Sequence, residues 1–320
     1  LIYNHCYNSC SDNMATGGKN ETSSNLRKVG TLTLEPDDLH PNGIVGVGDK
    51  LVIADIKSNK VRVYRCHNGM LLSSTDELES GPIGVCRVSD TELCVAITNG
   101  IIEIMSVQDS GLISRGPTFH LRPSFKYCHD VASWNDNIVV SGEKDDTIYW
   151  CVVSLKHGRP DKLHKVCDGW LSSLTVNQDM VYIACNSKSD DKSGVYAFNL
   201  LNPSQPTYTY KHKELSLTQC ITVNDMGHLF VCDWSSSIYH LTGKCQYVAI
   251  YKDDVPREPL AISWDRGVLY LISFESNVIT MYKTPQQGVY LDVEESRRVS
   301  APSSCEIHIK KEQTCFCSLL

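Results

Sequence analysis

The hydrophobic pattern of this chain is a short apolar strand that returns along the sequence, each time ending on a small residue before a polar turn and another apolar segment. The six copies are Leu51–Ala54, Leu93–Ala96, Ile138–Ser141, Val181–Ala184, Leu229–Cys232 and Leu269–Ile272. Their last residues are 42, 45, 43, 48 and 40 positions apart. A period of about 40 to 45 residues is the length of one propeller blade of four antiparallel strands. The pattern therefore predicts an all-β fold, a six-bladed β-propeller.

Each copy lies within a longer pattern of inner strand, tight turn, second strand, polar turn and third strand. In the first copy, Pro41–Ile44 leads through Gly48 and Asp49 into the second strand, and Asn59 precedes the third. Gly, Asp and Asn suit these turns because a positive φ costs them little. Outer fourth strands are predicted at Met70–Ser74, Leu112–Pro117, Leu163–Cys167, Thr207–Lys211 and Cys245–Tyr251.

The last repeat has no fourth strand directly after Tyr282, whereas Lys28–Leu34 is a strand without a blade of its own. We therefore expect this N-terminal strand to complete the last blade and to close the ring, because an open blade edge is a template for aggregation. The predicted organisation is a flexible N-terminal segment or linker at 1–25, the propeller at 26–283 and a C-terminal tail at 284–320.

Composition fits a cytoplasmic globular protein. The 320 residues are 42% hydrophobic, and no stretch approaches the roughly 18 apolar residues of a membrane span. The cysteines number 15, an odd count. Cys94, Cys185 and Cys232 stand in strand positions where other repeats place Val or Ala, so buried thiols in a reducing compartment are expected rather than a disulfide framework.

Three phrases of the first repeat carry a family resemblance: Pro41–Ile44, Leu51–Asp55 and Asn59–Tyr64 resemble the NHL repeat, and Leu229–Trp234 and Ser276–Ile279 resemble later copies. The span from about 28 to 283 is similar to the NHL propeller at the C-terminus of tripartite-motif (TRIM) ubiquitin ligases. In the second, third and fourth repeats, the Asp that closes the second strand is replaced by Ile97, Gly142 and Cys185.

The resemblance implies a recognition module that binds a protein partner or an RNA, while RING and B-box zinc domains upstream carry out the ligase chemistry. These 320 residues do not contain the paired C-x2-C spacing of a RING. We therefore expect the chain to be the targeting region of a TRIM-type ligase and not itself an enzyme.

A calcium-dependent lactonase-like hydrolase is the enzymatic alternative, because such propellers gather oxygen ligands around the central channel. The residues that open the inner strands here are Asn42, Pro82, His129 with Asp130, Ser172, Gln219 and Pro259. One carboxylate makes a poor calcium site, so no metal, cofactor or catalytic residue is expected. Asp55 and Asp233 follow their strands as Asx-type turn caps would. Cys128 and His129 are adjacent in a strand and point to opposite faces, which disfavours a nucleophile–base pair.

The loops between second and third strands and those that enter the inner strands should emerge on one face. The candidate partner-binding residues on that face are Tyr127, Trp170, Trp234, Phe274, Asn42, His129, Lys57 and Lys60. Aromatic rings among polar groups suit a protein interface and equally suit stacking on single-stranded RNA. A net charge of −7 and a pI near 5.9 favour a protein partner over RNA.

The tail carries candidate modification sites. Cys317 begins a terminal C-a-a-X sequence whose final Leu selects geranylgeranyl, and Cys315 is a candidate palmitoylation site. Membrane association is expected only if Cys317 is prenylated. Ser300 follows Arg297-Arg298-Val299 as in a basophilic kinase site; the alternatives are an accidental terminal match and a solvated linker.

Overall fold

The computed structural model of the chain describes residues 26–36, 39–187, 193–212, 215 and 217–284, with the side chains of 170–172 left out. The predicted segment 1–25 and the candidate sites Ser300, Cys315 and Cys317 lie outside these residues. Within them the chain forms strands and turns, and there is no helix long and apolar enough to cross a membrane.

The strands form antiparallel sheets that follow one another along the chain. The first strand, β1 (Arg27–Thr33), belongs to the final sheet. The first sheet contains β2 (Pro41–Val47), β3 (Lys50–Asp55), β4 (Lys60–Arg65) and β5 (Leu71–Ser74). The second contains β6 (Pro82–Arg87), β7 (Glu92–Ile97), β8 (Ile101–Val107) and β9 (Ile113–His120).

A seven-stranded sheet comes next. Its strands are β10 (Tyr127–Trp134), β11 (Asn137–Lys144), β12 (Thr147–Ser154), β13 (His164–Asn177), β14 (Met180–Ser187), β15 (Gly194–Asn199) and β16 (Tyr208–Tyr210). A four-stranded sheet follows with β17 (Thr218–Val223), β18 (Leu229–Asp233), β19 (Ser237–Leu241) and β20 (Tyr247–Tyr251). The final sheet contains β21 (Pro259–Asp265), β22 (Val268–Ser273) and β23 (Val278–Lys283), with β1 beside β23.

The repeat cores predicted from the sequence fall in the second strands, β3, β7, β11, β14, β18 and β22, so the repeat pattern is confirmed. The turn chemistry also holds. Gly48 has φ 59° in the turn between β2 and β3, and Asn59 has φ 54° before β4. Positive φ is inexpensive for Gly and tolerable for Asn, so both turns close tightly.

The repeat cores within the second strands are apolar because both of their faces are buried. In β3, Leu51 and Ile53 pack towards the final sheet, whereas Val52 and Ala54 pack towards the second sheet. All six residues of β3 are buried. Alternating side chains of a strand point to opposite faces, so a strand between two neighbouring sheets needs an unbroken apolar run.

The hydrophobic core is divided into clusters between neighbouring sheets. Val52 of the first sheet shares a cluster with Val95 of the second, and Phe230 of β18 shares one with Leu271 of β22. A further cluster joins the final sheet to the first, because Ile272 packs with Ile53. The sheets thus pack in a closed circle around a central channel, which is the architecture of a β-propeller.

The seven-stranded sheet exists because β13 belongs to two pairings. Its first part pairs with β12, from His164 to Asp168, and its second part pairs with β14, from Gly169 to Asn177. No loop separates the two parts, so the sequence prediction of six separate blades is not confirmed. A cluster that contains Trp150 of β12 and Phe198 of β15 lies between the two halves of this sheet.

The predicted pairing of the N-terminal strand with the last sheet is confirmed. β1 runs antiparallel to β23, with Thr31 opposite Thr280 and Leu32 opposite Ile279. Leu34 follows directly. Its N–H donates a hydrogen bond to the Asn277 carbonyl at 2.8 Å, and its side chain is fully buried in the cluster between the final and first sheets. The N-terminal strand therefore contributes both backbone pairing and core to the closure.

Truncation of Leu34 should show how much the fold depends on this segment. We expect Leu34→Ala to lower the free energy of unfolding by about 2 to 5 kcal/mol, because it leaves a cavity in the closing cluster. Val29 is 46% exposed on β1, so Val29→Ala should change it by no more than about 0.5 kcal/mol. Urea denaturation followed by tryptophan fluorescence measures both, and equal effects would contradict a structural role for this segment.

Candidate functional site

The inner strands surround a channel at the centre of the propeller. Residues of β2, β6, β10, β13, β17 and β21 line a cavity of about 430 Å³. The polar and charged groups along it are Asn42, Arg87, His129, Asp130, Ser133, Ser173, Thr175, Gln219, Thr222, Ser263 and Asp265. The channel is therefore a polar passage between apolar inter-sheet cores.

Every inner strand carries a β-bulge at the same place near its start. The residues skipped in the registers are Asn42, Ile83, His129, Trp170, Gln219 and Leu260. A bulge leaves one residue outside the ladder and re-aims it. Apart from Trp170, whose side chain is not described, these residues line the channel. Three of the sequence candidates, Asn42, His129 and Trp170, thus occupy equivalent positions. The sequence already indicates this for Asn42 and His129, which open inner strands, whereas it gives Ser172 in place of Trp170 for the fourth repeat.

One face of the propeller is built by a recurring backbone hydrogen bond. The N–H that follows a second strand donates to the carbonyl just before the inner strand of the same sheet. The pairs are Ile56 to His40 at 3.0 Å, Thr98 to Gly81 at 3.0 Å, Trp234 to Leu217 at 3.0 Å and Phe274 to Glu258 at 2.9 Å. These turns and entry loops therefore share one face, as expected from the sequence; we call it the mouth face.

Two of the predicted aromatic residues meet on the mouth face. The rings of Trp234 and Phe274 have centroids 6.0 Å apart, and His40 lies edge-on to Phe274 at 5.7 Å. His40 Nε2 is 3.9 Å from Glu275 Oε1, whose side chain is 62% exposed. Trp234 and Phe274 are half-buried. We call Trp234, Phe274 and His40 the aromatic arc; sequence reasoning missed His40, which carries no motif and is identified by its contact with Phe274.

Other sequence candidates, Tyr127, Lys57 and Lys60, lie on different strands and turns from the arc residues. Tyr127 is half-buried at the start of β10, and Lys126 Nζ lies 4.9 Å from the centre of its ring. Lys57 is exposed, whereas Lys60 is half-buried at the start of β4 opposite Asp55. The mouth face thus carries a compact aromatic arc at one side and a separate Lys126–Tyr127 pair.

Asp55 and Asp233 are turn caps, as the sequence indicated. Asp55 Oδ1 accepts a hydrogen bond from the His40 N–H at 3.2 Å, and its Oδ2 accepts from Ser58 Oγ at 2.5 Å and from Arg62 Nε at 3.0 Å. Asp233 Oδ1 accepts from the Ser235 N–H at 2.6 Å. Both residues are 1% exposed. These carboxylates are engaged by the protein and hold the mouth-face turns in place.

Asp130 links three inner strands. Its Oδ1 accepts from the Val131 N–H at 2.8 Å, and its Oδ2 accepts from Ser173 Oγ at 2.7 Å and from the Leu174 N–H at 2.9 Å. Ser173 Oγ in turn accepts from the Ile221 N–H at 3.3 Å. Burial raises the pKa of Asp130 to about 6 even though these hydrogen bonds oppose the shift. The carboxyl therefore acts as a structural bridge from β10 through β13 to β17.

His129 lies beside Asp130 but is 4% exposed. Burial lowers its pKa to about 4 and raises the pKa of its neighbour Cys128 to about 12. A thiol with so high a pKa carries almost no thiolate at neutral pH, so the pair lacks the activated nucleophile of cysteine hydrolases. In the described part of the chain, no three His, Cys, Asp or Glu side chains are grouped as metal ligands.

At the opposite end of the channel, a carboxylate lies between two arginine side chains. Asp265 is 7% exposed, and its carboxylate lies 2.9 Å from Arg266 Nε and 3.8 Å from Arg87 Nη1. A Cβ at Gly46 would lie 2.6 Å from this carboxylate, so the glycine leaves the space that Asp265 occupies. This end of the channel is held by ion pairs, whereas the mouth face presents aromatic rings.

His129 and Asp130 should give opposing pH dependences of stability. Asp130 has a folded pKa of about 6, above its ordinary 3.8, so its contribution is lost as pH rises towards 6. His129 has a folded pKa of about 4, below its ordinary 6.5, so its contribution is lost as pH falls towards 4. Each effect amounts to at most about 3 kcal/mol, and in the native protein they largely cancel.

Single substitutions should separate the two effects. We expect Asp130→Asn to make the free energy of unfolding rise more steeply between pH 4 and pH 6.5, and His129→Gln to make it fall over that range. Urea denaturation at a series of pH values measures both slopes. Parallel profiles for the native protein and both variants would contradict the assigned protonation states.

Comparison with known proteins supports the fold. The chain matches no protein-family model and no curated protein sequence. Among solved structures it is similar to BamB from Moraxella catarrhalis, with a TM-score of 0.46 and 11% identity over 75% of this chain and 71% of that one. It is also similar to the Cps50 (Swd1) β-propeller domain of Myceliophteria thermophila, with a TM-score of 0.58 and 11% identity.

The second of these similarities covers 82% of this chain and 100% of the Swd1 domain. An identity of 11% carries information about the fold alone, because unrelated functions are built on the same propeller architecture. The described strands and this similarity lead to the same conclusion: the chain has a β-propeller fold.

Proposed function

We propose that this propeller is a protein-recognition module and that its partner binds at the mouth face, against the aromatic arc. The observation that carries the proposal is the pairing of Trp234 and Phe274 at 6.0 Å on the face built by the turns. Tryptophan and other aromatic residues dominate protein interfaces because they bury a large area with few rotatable bonds.

The two rings lie outside the buried apolar clusters. Neither Trp234 nor Phe274 belongs to the apolar clusters that join neighbouring sheets among the described residues. The structural tryptophan, Trp150, differs: it is fully buried, and its ring lies tilted against those of His164 and Phe198, with centroid distances of 4.6 and 5.6 Å. A half-buried aromatic pair outside the core retains ring surface for a partner.

The charge near the arc favours a protein over RNA. Glu275 is exposed beside His40, whereas Glu258, on the loop that carries the backbone bond to Phe274, is adjacent to the exposed Arg257. The whole chain has a net charge of −7. RNA binding draws on phosphate contacts to Lys and Arg, so the exposed carboxylate of Glu275 and the net negative charge would oppose it. RNA remains the second outcome of the experiment below.

The proposed module is a six-bladed ring in which the two halves of the seven-stranded sheet act as separate blades. Each half has its own inner strand with the recurring bulge, at His129 in β10 and at Trp170 in β13. A hydrophobic cluster lies between the halves, as it does between other neighbouring sheets. These features support the six-fold repeat seen in the sequence.

We also propose that the module is the targeting region of a TRIM-type ubiquitin ligase, with catalysis supplied by another domain. This finer assignment rests on the NHL-like residues Pro41–Ile44, Leu51–Asp55 and Asn59–Tyr64. The partner would then be a ubiquitination substrate, and the chain would act by binding. A lactonase-like enzyme would instead bind calcium, which isothermal titration of the purified protein with Ca²⁺ would detect.

Truncation of the arc should abolish partner capture without unfolding the protein. We expect Trp234→Ala and Phe274→Ala together to weaken binding by about 30-fold or more for each ring removed, because hot-spot aromatic residues each contribute about 2 kcal/mol or more. The measurement is quantitative affinity capture from cell extract of the native source, with and without ribonuclease, followed by titration of the recovered partner against purified wild-type and variant proteins.

The matched control is Tyr247→Ala, which removes a 52% exposed ring from the outer strand β20. This variant should bind as the wild type does. Equal loss of binding in both variants, or unchanged binding after truncation of the arc, would contradict the assignment of the mouth face. If capture disappears after ribonuclease treatment, the partner is RNA and not a protein.

A further inference from the structure

Two cysteine side chains of the seven-stranded sheet are in contact. Cys167 Sγ and Cys185 Sγ lie 2.8 Å apart, although the residues are 18 positions apart in the chain. A disulfide has an S–S distance of about 2.05 Å, so a closure of about 0.8 Å would bring these sulfurs to bonding distance. Cys167 is 5% exposed and Cys185 is fully buried.

The contact lies where β13 passes from one half of the sheet to the other. Cys167 is opposite Ile148 in the part of β13 that pairs with β12. Cys185 is on β14, opposite Ser172 of the later part of β13. The two thiols therefore face each other across the change of partner, within the cluster that also contains Trp150 and Phe198. Trp170, a candidate binding residue, lies between them in the chain.

We propose that Cys167 and Cys185 are a redox-active pair that forms a disulfide when the folded protein meets a peroxide. This modification is independent of the identity of the partner. The bond would covalently join the first half of the seven-stranded sheet to the second and would constrain the intervening backbone that carries Trp170.

The chemistry balances with hydrogen peroxide as the oxidant. The thiolate of Cys167, the more exposed of the two, attacks a peroxide oxygen, breaks the O–O bond and becomes a sulfenic acid while hydroxide leaves. Cys185 sulfur then attacks the Cys167 sulfur, the S–O bond breaks and water leaves. The two sulfurs together lose two electrons, and the peroxide is reduced to two molecules of water.

The environment of the pair sets the expected rate. The hydrogen bond between the sulfurs and burial raise the pKa of Cys185 well above its ordinary value. Cys185 therefore carries little thiolate at neutral pH, and thiolate is the form that attacks the oxidised Cys167 sulfur most readily. The disulfide should therefore form slowly at neutral pH and faster as pH rises towards 9, and dithiothreitol should reverse it.

Peptide mapping tests the proposal directly in the intact protein. The fragment from Val166 to Lys188 has no internal Lys or Arg, so trypsin leaves both cysteines in one peptide. After peroxide treatment, unfolding and alkylation without reductant, we expect this peptide to be lighter by about 2 Da and to carry no alkyl group. Further cleavage before Asp168 and Asp179 should release Asp168–Gln178 and leave Val166–Cys167 joined to Asp179–Lys188 until the disulfide is reduced.

Matched cysteine variants complete the experiment. Cys167→Ser and Cys185→Ser should each abolish the lighter peptide. Cys245→Ser should leave it unchanged, because Cys245 is as buried as Cys167, at 5% exposed, but belongs to a different inter-sheet cluster. The wild-type result does not depend on whether any variant folds.

Two results would overturn the proposal. One is complete alkylation of both cysteines in the Val166–Lys188 peptide after peroxide treatment of the folded wild type. The other is a cross-link that joins Cys167 or Cys185 to a different cysteine. Either result would reduce the contact to a thiol–thiol hydrogen bond in the core.

Discussion

Both faces of each sheet in this protein are apolar, and that constraint governs the rest of the structure. A sheet covered on one face would leave the other in water, so stability requires a neighbour on each side. The first and last sheets meet this requirement by packing against each other, through residues such as Ile53 and Ile272. Pairing of β1 with β23 adds backbone hydrogen bonds to the same junction. Among the described residues every sheet contributes to at least two apolar clusters shared with its neighbours, so the sheets form a circle.

The circular arrangement brings the inner strands close together and leaves little room between their backbones. A Cβ at Gly84 would lie 2.5 Å from Asp130 Oδ1, so the glycine admits the carboxyl that bridges three inner strands. The recurring bulges bring one residue of each inner strand out of the ladder. The mouth face follows from the same geometry, because in each four-stranded sheet the turn after the second strand is hydrogen-bonded to the loop that enters the inner strand.

Much of the fold could be predicted from the sequence because the repeated signals are local. Apolar runs such as Leu51–Ala54 indicate strands, and turn residues such as Gly48 and Asn59 indicate the hairpins between them. The pairing of the N-terminal strand could also be predicted, because Lys28–Leu34 had no blade of its own and the last repeat lacked a fourth strand. Continuity of β13 through two pairings was not predictable, because strand predictions near Cys167 and Ser172 read equally well as two separate strands.

The site was less predictable for a physical reason. Sequence reasoning could place Trp234 and Phe274 on one face through topology, but their contact depends on how neighbouring sheets are oriented. His40 was missed because a single histidine before an inner strand belongs to no repeated motif. The Cys167–Cys185 contact was also missed. Cys185 occupies a strand position that other repeats fill with apolar residues, and Cys167 lies in the part of β13 that pairs with β12 rather than with β14. Contacts across sheets are set by packing, which a single sequence does not display.

Closure of the circle by the N-terminal strand is the central claim, and hydrogen exchange of the native protein tests it most directly. The account predicts that amides of β1, such as those of Thr31 and Leu32, exchange as slowly as those of β23 and are released together with them in one cooperative opening. Exchange of β1 amides within seconds, while β23 stays protected, would show that the circle is stable without this strand and would contradict the account.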